Sequence, residues 1–276
     1  MKSLVSTQWL ATQLKNNANI VLLDASMDTV IGIEAIAYAE KTCIPNSIKM
    51  DVERCFVEAN VAGIHPYPSE NTVRQEAARL GIQTSDTIVI YDNQGVYASP
   101  RAWWILKSMG FSDCYILDGG LPKWQREGGS ITNQHMEPQA GDIDLNVCFD
   151  PEWVWNAQRV LQNIETQSHL VIDARSMPRF LGKQSEPRPG VRSGHIPKSA
   201  NLPFVEVLDG DRFKSPHLLK EYFIQLNQDN QPMVFSCGSG VTACILIVAA
   251  VTAGYDRLAL YDGSWAEWGS SDYPIE

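Results

Sequence analysis

The sequence predicts an α/β protein of two tandem domains, each a mainly parallel sheet flanked by helices. Three observations predict this fold class. Short β-branched runs alternate with longer apolar segments of helix length. The second half of the chain repeats motifs of the first at a spacing near half its length. A polar stretch with glycine and proline but no periodicity separates the two copies.

The copies correspond in four places. VLLDAS (Val21–Ser26) answers LVIDAR (Leu170–Arg175), and CIPNSI (Cys43–Ile48) answers HIPKSA (His195–Ala200). IVIYDNQGVYASPRAW (Ile88–Trp103) answers PMVFSCGSGVTACILI (Pro232–Ile247), and MGFSDCYILDGGLPKW (Met109–Trp124) answers AGYDRLALYDGSWAEW (Ala253–Trp268). Each half is expected to open with a capped helix, Ser6-Thr7 leading into Trp9-Leu10 and Asp150-Pro151 into Trp153-Val154. A strand then ends at Asp24 or Asp173. Another covers Thr87–Tyr91 or Met233–Ser236, followed by a tight loop, a helix and a last strand over Cys114–Leu117 or Leu258–Tyr261. The expected boundaries are 1–128 for the N-terminal domain, 129–148 for the linker and 149–276 for the C-terminal domain.

The bulk properties exclude several function classes. With 276 residues, 44% hydrophobic and 20% charged, the chain has the make-up of a globular protein with a substantial core. A formal charge of −10 argues against non-specific binding to nucleic acid or acidic membranes, so an anionic substrate must be met by local cations. Six cysteines without C-x-x-C spacing read as free thiols of a reducing compartment. The N-terminus lacks a secretory h-region, and the run Ala243–Tyr255 is too short to span a bilayer. A cytoplasmic location is expected.

One cysteine departs from the small-hydrophobe role that suits Cys244 and Cys114. Cys237 stands between the buried run Met233-Val234-Phe235 and the loop Gly238-Ser239-Gly240-Val241-Thr242, which opens a segment, Ala243–Ala253, apolar enough to be a core helix. Open α/β sheets place their ligands at such strand ends. A loop of this kind turns main-chain N–H groups inward and adds the positive end of a helix dipole, which favours a thiolate. The matching loop of the first half, DNQGVY, has Asp92 at the cysteine position, so one active loop is expected. A phosphatase-type loop needs an arginine six positions on, where Ala243 stands. No signature ties any of the five histidines to Cys237 as a papain-type base. An uncharged cradle of amides with the hydroxyls of Ser239 and Thr242 suits a thiolate or a persulfide.

On these motifs the chain resembles the tandem-domain sulfurtransferases of the rhodanese superfamily. CGSGVT is similar to the loop of the 3-mercaptopyruvate sulfurtransferase branch, and the resemblance extends through the D-G-S-W-x-E-W ending (Asp262–Trp268). The thiosulfate branch carries basic residues after the cysteine, where this chain has Gly238 and Ser239. The resemblance implies a sulfurtransferase in which Cys237 takes sulfur from 3-mercaptopyruvate as a persulfide, releases pyruvate, and passes the sulfur to cyanide, a small thiol or thioredoxin. A thiosulfate sulfurtransferase and a persulfide carrier without a small-molecule donor are the alternatives. No cofactor or metal, no nucleic acid and no membrane is implied, and a monomer is expected.

The segment DARSMPRFLGKQSEPRPGVRSGHIP (Asp173–Pro197) supplies the cations, with Arg175, Arg179, Arg188 and Arg192 in one stretch. They form either a solvated basic face or a carboxylate clamp, for which a planar guanidinium is better suited than a lysine. The resemblance assigns Arg179 and Arg188 to substrate, with the loop residues Gly238, Ser239, Gly240, Val241 and Thr242. Arg175, two residues after Asp173, reads as a structural pair, and His195 as a fold-stabilising histidine. The resemblance also implies a relay of Ser239, His65 and an acid reaching the loop from the first domain. The acid position holds Glu53 rather than the family's aspartate, with Asp51 two residues earlier.

Overall fold

Four-residue strands that are apolar on both faces need a sheet covered on both sides. In the computed structural model, which describes residues 3–59, 61, 63–141 and 147–276, each half of the chain builds such a sheet. The first half supplies β1 (Leu4–Val5), β2 (Val21–Asp24), β3 (Ile48–Lys49), β4 (Ile88–Tyr91) and β5 (Cys114–Leu117). Their order is β1-β5-β4-β2-β3, all parallel. The second half supplies β6 (Val154–Trp155), β7 (Leu170–Asp173), β8 (Ala200–Asn201), β11 (Met233–Ser236) and β12 (Leu258–Tyr261). The order there is β6-β12-β11-β7-β8, again all parallel and with the same permutation. A hairpin, β9 (Leu208–Asp209) with β10 (Arg212–Phe213), is the antiparallel addition.

The helices are α1 (Thr7–Lys15), α2 (Glu70–Leu80), α3 (Ser99–Ser108) and α4 (Gly120–Arg126) in the first half. The second half holds α5 (Ala157–Thr166), the single turn α6 (Met177–Phe180), α7 (Pro216–Leu226), α8 (Ala243–Thr252) and α9 (Ser264–Trp268). Ser6 caps α1 as expected, its hydroxyl accepting the Trp9 amide at 3.1 Å. The expected cap of the second half is displaced. Asp150-Pro151 opens only a 3₁₀ turn over Pro151–Trp153, and Val154–Trp155 leaves it as the edge strand β6. The true cap is Asn156, whose side chain accepts the Arg159 amide at 2.9 Å.

The expected linker is held against the first domain over its early part. Thr132 exchanges two main-chain hydrogen bonds with Cys43, and His135 Nε2 lies 2.8 Å from Asp24 Oδ2. Residues 142–146 of that segment lie outside the described residues.

The two halves meet through α3 and α8, which pack on each other. Every residue of α8 from Ala243 to Val251 is buried, which explains its lack of a polar face. Helix α3 is nearly as buried, and it carries Arg101 into the contact at 1% exposure. One apolar core therefore runs through both halves, joining Trp103 and Leu106 to Leu246 and Phe235. The loop after β11 sits at the edge of this shared core.

Candidate active site

Strand β11 is the central strand of the second sheet, flanked by β7 and β12. Cys237 follows at its C-terminal end, where side chains leave the sheet toward the crevice between the halves. The backbone of Cys237 is held on both sides. Its amide donates to Ser264 Oγ at 3.1 Å, and its carbonyl accepts the Trp265 amide at 2.9 Å. The Gly238 carbonyl accepts the Ala266 amide at 3.0 Å, so the start of α9 fixes two consecutive peptides of the loop. Ser264 does this from a left-handed backbone, φ 51°, that a residue other than glycine adopts only under constraint. Its first-half counterpart is Gly120, where a Cβ would come within 2.4 Å of the Gly95 carbonyl oxygen.

The thiol is 1% exposed and accepts the Gly240 amide at 3.1 Å, while Ser264 Oγ stands 4.0 Å away. Of the cradle expected over Gly238 to Thr242, this one amide meets the sulfur. The amides of Ser239, Val241 and Thr242 have no hydrogen-bond partner among the described residues. The first half shows what the same loop does around a longer side chain. The Asp92 carboxylate accepts the amides of Gln94, Ala98 and Ser99 at 2.9, 2.9 and 2.8 Å, and the Ser99 hydroxyl at 2.7 Å. Burial pushes this carboxyl up from its usual range, and those hydrogen bonds pull it back.

The cations arrive from the connection between β7 and β8. Arg175 is a structural pair: it holds Asp173 through Nε and Nη2, reaches Glu186 at 2.8 Å and lies over the Trp265 ring at 4.3 Å. Arg179, on α6, pairs with the other oxygen of Glu186 at 2.5 Å. Glu186 thereby ties both arginines together and sets the direction of Arg179. Arg188 is half-buried and makes no ion pair among the described residues. Both guanidiniums converge beside Cys237: a Cβ on Gly238 would lie 3.3 Å from Arg179 Nη2 and 3.8 Å from Arg188 Nη1. Arg192 goes elsewhere, donating to the carbonyls of Gly269 and Tyr273. His195 stacks on Phe180 with ring centroids 3.9 Å apart, a structural placement.

Cys237, Gly238, Ser239, Val241 and Thr242 line one cavity of about 690 Å³ with Arg179, Arg188, His65 and Glu53. Gly240, expected with them, is not among the lining residues. The structure thus brings Ser239, His65 and Glu53 to the same cavity without joining them into a chain. Glu53 Oε2 accepts the Asp28 amide at 2.8 Å, and Asp51 is engaged by Arg54. His65 Nδ1 is buried without a hydrogen-bond partner among the described residues. Burial, then the charges of Arg101 and Arg188, lower the His65 pKa to about 4, with the Ser239 main chain and Asp262 pulling weakly the other way. The imidazole is therefore neutral near pH 7. Among the described residues no group of three or more His, Cys, Asp or Glu could hold a metal ion.

Three residues here escaped the sequence reading: Glu186, Ser264 and Arg101. The last crosses from the first half to the Gly240 carbonyl and Asp262. Its one advance signal was a lone charge within the apolar run SPRAWWIL, since a buried charge requires partners.

Comparison with known proteins agrees with this arrangement. The model of the rhodanese-like domain matches twice, over residues 6–127 and 156–271. The 3-mercaptopyruvate sulfurtransferase of Mus musculus is 35% identical over 277 residues, covering 97% of this chain and 92% of its own. The thiosulfate sulfurtransferase of Cricetulus griseus is 33% identical, covering 97% and 92%. The crystal structure of SseA from Escherichia coli, described as a 3-mercaptopyruvate sulfotransferase, superposes with a TM-score of 0.82. It is 30% identical and covers 96% of this chain and 99% of its own. With two domain matches and relatives similar along nearly its whole length, the chain belongs to the tandem rhodanese-like sulfurtransferase family.

Proposed function

We propose that this chain transfers sulfur from 3-mercaptopyruvate through a persulfide on Cys237. One observation carries the choice of donor: two arginines converge over Gly238, beside the nucleophile, on a loop without charged side chains. A single-carboxylate keto acid fits that pair, with its thiol directed at Cys237.

In the first step the Cys237 thiolate attacks the donor sulfur. The carbon–sulfur bond breaks and its electron pair stays on carbon as the enolate of pyruvate. The proton given up by the donor thiol is the one the carbon regains, so thiolate and 3-mercaptopyruvate become persulfide and pyruvate. Arg179 and Arg188 stabilise the enolate charge. The added sulfur lies one bond beyond Sγ, where the free amides of Ser239, Val241 and Thr242 offer donors. In the first half the Asp92 carboxylate accepts the Gln94 amide, the counterpart of Ser239. In the second step a nucleophile attacks the outer sulfur, the S–S bond breaks, and its electron pair returns to Cys237. Ping-pong kinetics follow from such a covalent cycle. No metal or organic cofactor has a part in these steps. Cyanide, a small thiol or thioredoxin serves as acceptor in this reading, and the chain acts as a cytoplasmic monomer. Among the described residues no helix is long and apolar enough to cross a membrane.

A second reading, thiosulfate as donor, is favoured by the 33% identity to a thiosulfate sulfurtransferase. The neutral pair Gly238-Ser239 argues for the keto acid, because a dianion gains from a cation at that position. Comparing kcat/KM for the two donors decides between them, with 3-mercaptopyruvate expected to be the better. A clear preference for thiosulfate would overturn the assignment.

A further inference from the structure

We infer that Arg101, contributed by the first domain, is a positioning residue that keeps the Gly240 amide aimed at the Cys237 sulfur. The inference rests on the sulfurtransferase reading of Cys237 and adds to it a part for the half that lacks a nucleophile.

Gly240 alone in the loop Cys237–Thr242 has a left-handed backbone, φ +78°, and its amide donates the shorter of the two hydrogen bonds that reach the sulfur among the described residues. A glycine at such a position is free to swing, and swinging would carry the N–H away from sulfur. The opposite side of the residue is pinned. Its carbonyl accepts Arg101 Nη1 at 3.2 Å and the Cys244 thiol at 3.3 Å. With both N–H and C=O engaged, the two backbone torsions of Gly240 are fixed together. The fit is close, since a Cβ on Gly240 would stand 2.7 Å from Arg101 Nη1 and 2.9 Å from the Asp262 carbonyl oxygen.

Arg101 is itself held on three sides. Nη1 also donates to Asp262 Oδ1 at 2.5 Å, Nη2 donates to the His65 carbonyl at 2.7 Å, and the guanidinium lies 5.2 Å from the Tyr67 ring centroid. Asp262 Oδ2 in turn accepts the Tyr67 amide at 2.8 Å. The guanidinium is thus a rigid fork joining the His65–Tyr67 segment of the first domain to two points of the second, the catalytic loop and the turn before α9. Lysine reaches one of these acceptors and cannot span them all, because its single ammonium lacks the planar fork. Leu246 or its neighbours on α8 offer no equivalent within the second domain, where the helix has no charged residue.

The test compares wild type, Arg101→Lys and Asp262→Asn in single-turnover formation of the Cys237 persulfide and in steady-state turnover. Arg101→Lys keeps the charge opposite Asp262, and Asp262→Asn keeps the side-chain shape while loosening the fork, so each remains informative should the other fail to fold. Removing one oriented donor from a charged reacting atom costs about 100-fold or more, and misdirecting it about tenfold. Both variants should therefore lose about tenfold or more in kcat and in the single-turnover rate. The KM for 3-mercaptopyruvate should stay within about threefold, because Arg179 and Arg188 are untouched. An unchanged kcat in a folded Arg101→Lys protein would overturn the inference, as would a loss confined to KM. A wild-type protein that takes up no sulfur would instead refute the sulfurtransferase reading on which the inference rests.

Discussion

Replacing Arg188 by glutamine tests the proposal that its charge draws the donor into the cavity. The guanidiniums of Arg175 and Arg179 are ion-paired with Asp173 and Glu186, whereas one positive charge of the cluster has no ion-pair partner among the described residues. Arg188 carries it, since Arg175 and Arg179 are both tied to Glu186. A charged hydrogen bond contributes roughly 1.5–3 kcal/mol, and the half-exposed position of Arg188 places it toward the lower part of that range. About 2 kcal/mol corresponds to roughly a 30-fold weaker donor complex. Arg188→Gln should therefore raise KM for 3-mercaptopyruvate by about 30-fold and lower kcat as well, since Arg188 also stabilises the enolate charge. The thermal midpoint should not move, because no ion pair among the described residues is lost. The same variant removes one of the two cations acting on His65, whose pKa should rise from about 4 while burial keeps it below 6.5. Continuous pyruvate detection over a range of donor concentrations gives the kinetic constants, and imidazole NMR follows His65. An unchanged KM would refute the clamp, and so would a fall in kcat alone.

Further outcomes follow from the same geometry. Gly238→Lys places an ammonium beside Arg179 and Arg188, and should raise kcat/KM for thiosulfate while lowering it for 3-mercaptopyruvate; a parallel change for both donors would contradict the part given to the neutral loop. Asp92→Ala leaves the buried amides of Ala98 and Ser99 unpaired, and should cost about 1–3 kcal/mol in denaturant unfolding while persulfide still forms on Cys237. Loss of sulfur uptake by a folded Asp92→Ala protein would show that the first loop takes part in the chemistry. The folded chain keeps His65 neutral down to about pH 4, whereas the unfolded chain protonates it near 6.5. Stability is thus fully present above pH 6.5 and is lost as pH falls from there toward 4. His65→Asn should flatten that acid limb in thermal melts, and identical limbs would count against the buried neutral imidazole.

The architecture was legible where the chain repeats itself, because matched strands such as Val21–Asp24 and Leu170–Asp173 carry their apolar residues in the same order. Edge strands of two residues, β1 and β6 among them, are too short for periodicity to register. That is why Asp150-Pro151 reads as a helix cap when the chain continues into a strand. At the site, Cys237 stands out locally, since a strand, a cysteine and a glycine-rich helix entry are adjacent in sequence. Arg179 and Arg188 follow from the resemblance of their motifs, whereas Glu186 acquires its meaning only when the chain folds back on α6. Arg101 and Asp262 are far apart in the chain, and nothing local in either segment announces the other. No side-chain hydrogen bond joins Ser239, His65 and Glu53 among the described residues, since Glu53 accepts the Asp28 amide and His65 is half-buried beside two cations.

The central claim is that one sulfur atom rides on one cysteine. Intact mass spectrometry of the native chain before and after 3-mercaptopyruvate, with peptide mapping under non-reducing conditions, tests it most directly. The expected result is a gain of a single sulfur atom on Cys237, removed by cyanide and absent from Cys237→Ser. Sulfur on another cysteine, or pyruvate released by Cys237→Ser at the wild-type rate, would contradict it.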